Sequence, residues 1–215
     1  MIEFLRAGGP FMFLLLLTSV VGLAFIIERG LALRWPKVVP PLVVAALESC
    51  KTRADLGMLS RVCSQNASSL SRLILAANDQ FDGPLAENAS AVETRARHEV
   101  SRLERGLVVL EIVVGIAPLL GLVGTVHGLI TLFADLGKAG LGNNADLARG
   151  IAIALNTTLA GLLIAIPSLV AWSYYTKKVE LLAVEMETLC DDFLRRMYRS
   201  FEKPEKMEKV EKARH

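Results

Sequence analysis

The sequence predicts an all-α integral membrane protein with three transmembrane helices, the second and third extended as long helices into the cytoplasm. Three observations predict it. Apolar stretches over residues 11–27, 107–133 and 150–175 approach or exceed the ~20 residues a helix needs to cross the bilayer core. Charged residues gather almost wholly in 28–105 and 176–215. The chain is 53% hydrophobic over 215 residues with positive mean hydropathy, too apolar and too short for two globular domains beside its spans.

The same composition excludes several functions. The net charge of +2 comes from mixed Lys/Arg and Asp/Glu, which leaves no footprint for nucleic acid. Cys50, Cys63 and Cys190 are an odd number without metal-ligand spacing, so they read as reduced cytoplasmic thiols and no metal or cofactor is expected. His98, His127 and His215 are scattered, and no Ser/His/Asp or Cys/His arrangement supports an enzyme.

In chain order, residues 1–10 form a short periplasmic N-terminus ending in Gly8-Gly9-Pro10. The apolar run that follows is read as a retained span: its basic flank is weak, no small-residue cleavage site ends it, and Glu28-Arg29 follows directly. Lys and Arg after spans one and three and before span two outnumber Lys138 and Arg149 between spans two and three. The positive-inside rule therefore sets the N-terminus outside and both charged regions in the cytoplasm.

The cytoplasmic region 28–106 reads as helices. Pro36, Pro40 and Pro41 break the chain, and helical spacing then runs through Leu42–Glu48, through Leu56, Leu59 and Val62, and through Leu70, Leu73, Ile74 and Ala77. Asp82-Gly83-Pro84 is a turn signal. From Leu85 no breaker precedes span two, which predicts one continuous helix, with Glu93–Arg97 and Arg95–Glu99 as i,i+4 pairs. The gap 134–149 is a periplasmic loop in which Asp146 is placed to cap the next helix. Over 176–200, Leu181, Val184, Met186, Leu189, Phe193 and Met197 recur at helical spacing amid charge, as in a helix packed in a bundle. The alternative is a helix lying on the membrane surface. Residues 201–215, with Pro204 and dense alternating charge, are expected to be disordered.

Spans two and three carry more than apolar bulk. At about 100° per residue, Ala117, Pro118, Gly121, Gly124, Thr125 and Gly128 share one face of span two. Gly150, Ala154, Thr157, Gly161, Ala165 and Ser168 share a stripe on span three, with Thr158 on its shoulder. Small residues at this spacing let helices approach closely in a membrane. Plain helix packing accounts for the glycines and alanines, and less well for three threonines at matching depth. A threonine can also simply return its hydroxyl to the i−4 carbonyl. His127 falls about 120° from the stripe, facing a neighbouring helix; a buried neutral histidine is the simpler reading and a proton relay the sharper one. Glu111 lies near the cytoplasmic end of span two, where it can meet interfacial water.

The entry ERGL (Glu104–Leu107), the segment AP-LLGL-GTV-G (Ala117–Gly128) and GIA-AL-TT--GLL-AIP (Gly150–Pro167) resemble the MotA/TolQ/ExbB proton-channel family, and most closely its three-span ExbB/TolQ branch. The resemblance covers roughly half the chain, in matching order. It implies a homopentameric ring around two copies of an ExbD/TolR-like single-span partner, coupled to a TonB- or TolA-like energy transducer in the inner membrane. It implies that the threonines matching Thr125 and Thr158 face the partner's aspartate, with Thr157 beside them, and that the translocated ion is H⁺, the family's commoner choice, with Na⁺ as the alternative. One departure matters. Where ExbB-type proteins often carry a glutamate, this chain has Ile153, so the acid of the pathway has to come from elsewhere. Rival readings are a passive scaffold ring, a self-sufficient channel and a flagellar-stator-like subunit, the last having four spans in this family.

Overall fold

The computed structural model describes residues 9–139 and 144–212, with backbone alone for 9, 138, 139, 144, 146 and 202–212. The described residues are helical with no strand. Three of the helices are long and apolar enough to cross a membrane: Pro10–Ala32, Leu107–Gly137 and a stretch within Leu147–Phe201. The chain divides into two units. One comprises residues up to Leu31 together with Arg105–Thr176, and the other Ala32–Glu104 together with the chain from Lys177.

The span unit is built from α1 (Gly9–Ala32), α7 (Leu107–Ala139) and the first part of α8 (Asn144–Lys212). Pro10 sits in the first turn of α1, where its missing N–H costs nothing. Pro118 lies inside α7, tolerated because the helix is held by its neighbours. Leu15, Ala117 and Ala165 form the small buried cluster common to the three helices. At the other end of α1 the Tyr175 hydroxyl donates to the carbonyl of Ile26 at 2.9 Å. The same hydroxyl oxygen would stand 2.9 Å from a Cβ on Gly30, too close for a side chain there.

The bundle unit contains α2 (Trp35–Val38), α3 (Pro41–Ser49), a 3-10 turn (Arg53–Asp55), α4 (Leu56–Gln65), α5 (Ser69–Asn78), α6 (Leu85–Glu104) and α8 from Lys177 onward. Its core is conventional and large: Val43, Leu73, Ile74, Leu182, Phe193 and Met197 are among the buried side chains. Local signals fix the ends. Pro41 opens α3, Thr52 and Asp55 cap the 3-10 turn reciprocally, and the Ser68 hydroxyl accepts the N–H of Ser71 at 3.1 Å to start α5. The turn expected at Asp82-Gly83-Pro84 is present, closed by Gly83 N–H to the Gln80 carbonyl at 3.1 Å.

Several expectations are corrected. The helix from Leu85 does not run unbroken into span two: Arg105–Gly106 is a turn separating α6 from α7. Glycine is a weak helix residue, and here it also makes room, since a Cβ on Gly106 would collide with the Arg29 guanidinium. The gap expected over 134–149 narrows to residues 140–143, which lie outside the described residues, because α7 runs to Ala139 and α8 starts at Asn144. Asp146 thus falls inside the first turn of α8 instead of before it. The tail from residue 201 is helical backbone to Lys212. Glu202, Glu205 and Glu208 each precede a lysine by four residues, the favourable order for a helix. Arg95–Glu99 does not pair; Glu99 points inward to Arg72 while Arg95 is exposed. Leu181 and Val184 are exposed, and Leu182, Cys190 and Leu194 join Met186, Phe193 and Met197 on the core face. The short N-terminal segment lies outside the described residues up to Gly9.

Candidate functional site

The two small-residue stripes face each other within one chain. A Cβ on Gly121 would stand 2.9 Å from the Thr157 carbonyl oxygen and 3.0 Å from the Thr158 Cα. One on Gly161 would reach 2.5 Å from the Ala117 carbonyl oxygen, and one on Gly128 3.1 Å from the Ala154 Cβ. Gly124 lies against the Thr157 side chain and Phe11. Backbone meets backbone along this seam, so glycine and alanine are required by contact. Ala117, Gly121, Gly124, Ala154, Gly161 and Ala165 are buried in it, whereas Pro118 and Gly128 are half-buried.

Inside the seam the three threonines meet. The Thr125 hydroxyl lies 3.1 Å from the Gly121 carbonyl, 3.2 Å from the Ala154 carbonyl and 3.3 Å from the Thr157 hydroxyl, and it touches that of Thr158 more closely still. Thr157 donates to the Ala154 carbonyl at 2.7 Å and also stands 3.3 Å from that of Gly121, while Thr158 reaches the Gly121 carbonyl at 3.1 Å. Each hydroxyl has a single proton and two lone pairs. Three protons are therefore shared among more contacts than they can fill at once, and rotation of a hydroxyl exchanges one arrangement for another. Thr157 is 1% exposed and Thr125 8%, but Thr158 is only half-buried. It is the one member of the cluster with an open side.

The remaining expected residues lie apart from this cluster. Glu111 is exposed. His127 faces a neighbouring helix as expected, with its ring 5.4 Å from Phe11 of α1 at an edge-on 60°. The expected burial is not found: His127 is exposed in this chain, because Gly124 and Gly128, not His127, occupy the tight side of α7. Ile153 is half-buried and brings no acid. Asn156, next to Thr157 in the span, is an amide inside an apolar run and is half-buried, a polar position that the small-residue stripes do not include. No group of three or more His, Cys, Asp or Glu able to hold a metal exists among the described residues.

Outward from the seam the span unit is apolar. Phe13, Leu119, Ile130, Leu163 and Val170 are all exposed, a surface suited to lipid or to other apolar helices and not to water.

Comparison with known proteins agrees with this architecture. The family model described as the MotA/TolQ/ExbB proton channel family matches residues 65–188, more than half of the chain. A protein of Synechocystis named as ExbB-like biopolymer transport protein is 36% identical over 179 residues, 79% of this chain and 68% of the relative. A biopolymer transport ExbB homologue of Methanothermobacter thermautotrophicus is 30% identical over 83% of this chain and 64% of its own length. The Tol-Pal system protein TolQ of Pseudomonas aeruginosa is 29% identical over 200 residues, 85% of this chain and 84% of the relative. The chain thus spans about two thirds of the length of the first two relatives and most of the third. With a matched family model across both stripes and their threonines, this chain belongs to the MotA/TolQ/ExbB proton channel family, on its ExbB/TolQ-like branch.

Proposed function

We propose that this chain is the ring subunit of an inner-membrane motor of the ExbB–ExbD or TolQ–TolR type. It assembles as a pentamer around two copies of an ExbD/TolR-like single-span partner, with its N-terminus periplasmic and its C-terminus cytoplasmic. Protons entering down their gradient neutralise a carboxyl on the partner, and each neutralisation permits one step of rotation. A charge crossing 100 mV yields about 2.3 kcal/mol, enough for repeated small mechanical steps on a TonB- or TolA-like transducer in the periplasm. Family membership and the names of the relatives support the class of function; the geometry supports the residues.

The observation that carries the reading is the threonine cluster with its one open member. A hydroxyl that both donates and accepts suits a wall against which a carboxyl is alternately protonated and ionised. The Thr125 hydroxyl and the Gly121 carbonyl hold Thr158 in place by hydrogen bonds across the seam, and Thr158 meets the partner's acid. Under the family's mechanism Ile153 supplies no carboxyl in span three, so the acid of the pathway comes from the partner and the chain alone does not complete proton transport. Thr158→Val removes the hydroxyl and keeps the β-branch. Liposomes holding the ring and its partner should lose proton uptake with this variant, while native mass spectrometry still finds the assembled complex. Full uptake by Thr158→Val refutes the assignment, and uptake by the chain without a partner refutes the motor.

A second reading, a passive scaffold ring, has one observation in its favour: the glycine and alanine stripes are consumed in packing α7 on α8 within a single chain. On that reading the threonines only close the seam, and Thr158→Val changes nothing but a small stability term.

A further inference from the structure

The bundle unit carries a groove that the motor reading leaves without a role. It lies between Lys51, just past the end of α3, and the part of α8 bearing Asp192, Arg195, Arg196, Arg199 and Ser200, with a volume of about 620 Å³. Four cations and one carboxylate line it. Elsewhere in the unit several cations are paired, Arg53 with Asp82, Arg72 with Glu99, Arg97 with Glu93 and Lys177 with Glu180, while others such as Arg61 and Arg95 stand singly on the exposed surface and not together in a groove. In the groove only Arg195 has a carboxylate, Asp191 at 2.8 Å, and that residue is not part of the lining.

Among the described residues, no carboxylate lies within ion-pairing distance of the Lys51 ammonium or of the Arg196 and Arg199 guanidinium groups. Arg196 is instead held by the fold. It donates to the Leu47 carbonyl at 2.7 Å, satisfying one of the acceptors left open in the last turn of α3, and its Nε is buried without a partner. A guanidinium fixed in this way is already oriented, so less freedom is lost when an anion arrives. Lys51 and Arg199 are exposed and free to close on the anion from either side. Like charges gathered in a concave place focus positive potential and repel one another until an anion joins them.

We propose that this groove is a binding site for a phosphate-bearing anion, with Arg196 as its fixed donor and Lys51 and Arg199 as its closing pair. Planar guanidinium groups match phosphate oxygens in pairs, and the ammonium adds a point charge. The volume suits a diphosphate or a group of nucleotide size. The same chemistry is offered by a soluble phosphate compound and by an anionic lipid headgroup.

The test uses the full-length protein in nanodiscs and inorganic pyrophosphate as probe. In phosphatidylcholine nanodiscs, titration calorimetry should find saturable pyrophosphate binding. The Lys51→Gln/Arg199→Gln double variant should weaken it at least about tenfold, since each change removes a charge-assisted contact. Both side chains are exposed and have no ion-pair partner among the described residues, so the variant should fold. Arg61→Gln/Arg95→Gln, which removes two exposed cations outside the groove, should bind like the unaltered protein. Nanodiscs containing phosphatidic acid separate the sources: unchanged pyrophosphate affinity points to a soluble anion, and lost affinity points to a headgroup already seated there. The proposal is overturned if pyrophosphate fails to bind in neutral nanodiscs, or if the Lys51/Arg199 variant binds it like the unaltered chain.

Discussion

The span unit and the bundle unit solve the same problem, packing helices, in opposite ways. The bundle buries large side chains such as Phe193, Leu182 and Met186 and turns charge outward, so its stability comes from apolar area removed from water. The span unit buries its smallest residues and turns Leu163 and Val170 outward. In a bilayer leucine gains little by burial, and close approach of backbones with hydrogen bonds between them decides which helices associate. One helix, α8, obeys both rules along its length, small at Gly161 and Ala165 and large at Phe193 and Met197.

The comparison breaks most sharply by exchanging rules. Phe193→Ala should cost the bundle about 3–5 kcal/mol, the usual range for emptying an aromatic site in a core, measured by denaturant unfolding followed by tyrosine or tryptophan fluorescence. Leu163→Ala, at a position 65% exposed in the span unit, should leave the stability of the chain in detergent within about 0.5 kcal/mol. Equal losses at the two sites would mean that one packing rule serves both units.

Gly161→Ala reverses the test, because here adding one carbon is the injury. The Ala117 carbonyl oxygen stands 2.5 Å from the new Cβ and the Gly121 Cα 3.2 Å, and backbone cannot step aside as a side-chain tip can. Overpacking of this kind costs about 1–3 kcal/mol. Steric trapping or SDS titration of the span unit should register it, and an unchanged midpoint would show that α7 and α8 separate without cost.

Much of this division was legible in the sequence, and what was missed has a common cause. Helical period located the spans, both stripes, the turn at Asp82-Gly83-Pro84 and the Glu93–Arg97 pair, found at 2.7 Å. Each of those signals is local. Period also showed that Thr125, Thr157 and Thr158 belong on small-residue faces, but not that the two faces are turned toward each other. Glu99 was assigned the neighbour four residues away, whereas its partner Arg72 lies on another helix, with Nε to the carboxylate at 2.8 Å. The close fit of Gly106 against Arg29, which is distant in the chain, is equally invisible to a local pattern. Exposure of His127 likewise follows from which side of α7 the glycines claim.

Glu99 gives the bundle a pH dependence. Burial opposes its ionisation, yet the hydrogen bonds and charge of Arg72, with Ser69 and Arg102 adding to them, outweigh that and hold the carboxyl below its ordinary value of 4.5. Its contribution is thus fully present above about pH 4.5 and is lost as pH falls through the lowered value. Glu99→Gln should cost about 1–3 kcal/mol at neutral pH and flatten the acid limb of bundle stability. A variant with the same acid limb as the unaltered chain would remove Glu99 from the explanation.

The smallest effect sharpens the comparison furthest, because it reports on one unit alone. Cys50, Cys63 and Cys190 are free, buried and all in the bundle. Burial pushes the Cys63 thiol up to about 11 and that of Cys190 to about 12, so at neutral pH almost no thiolate is present to react. A soluble maleimide should leave these cysteines of the native protein nearly unlabelled, and labelling should rise only as the bundle opens. Phe193→Ala should then bring labelling forward in denaturant. Gly161→Ala should leave its onset in place, since each unit has its own core. If Gly161→Ala advances labelling as much as Phe193→Ala does, α8 transmits unfolding from the seam to the bundle, and the two packing rules govern a single cooperative structure.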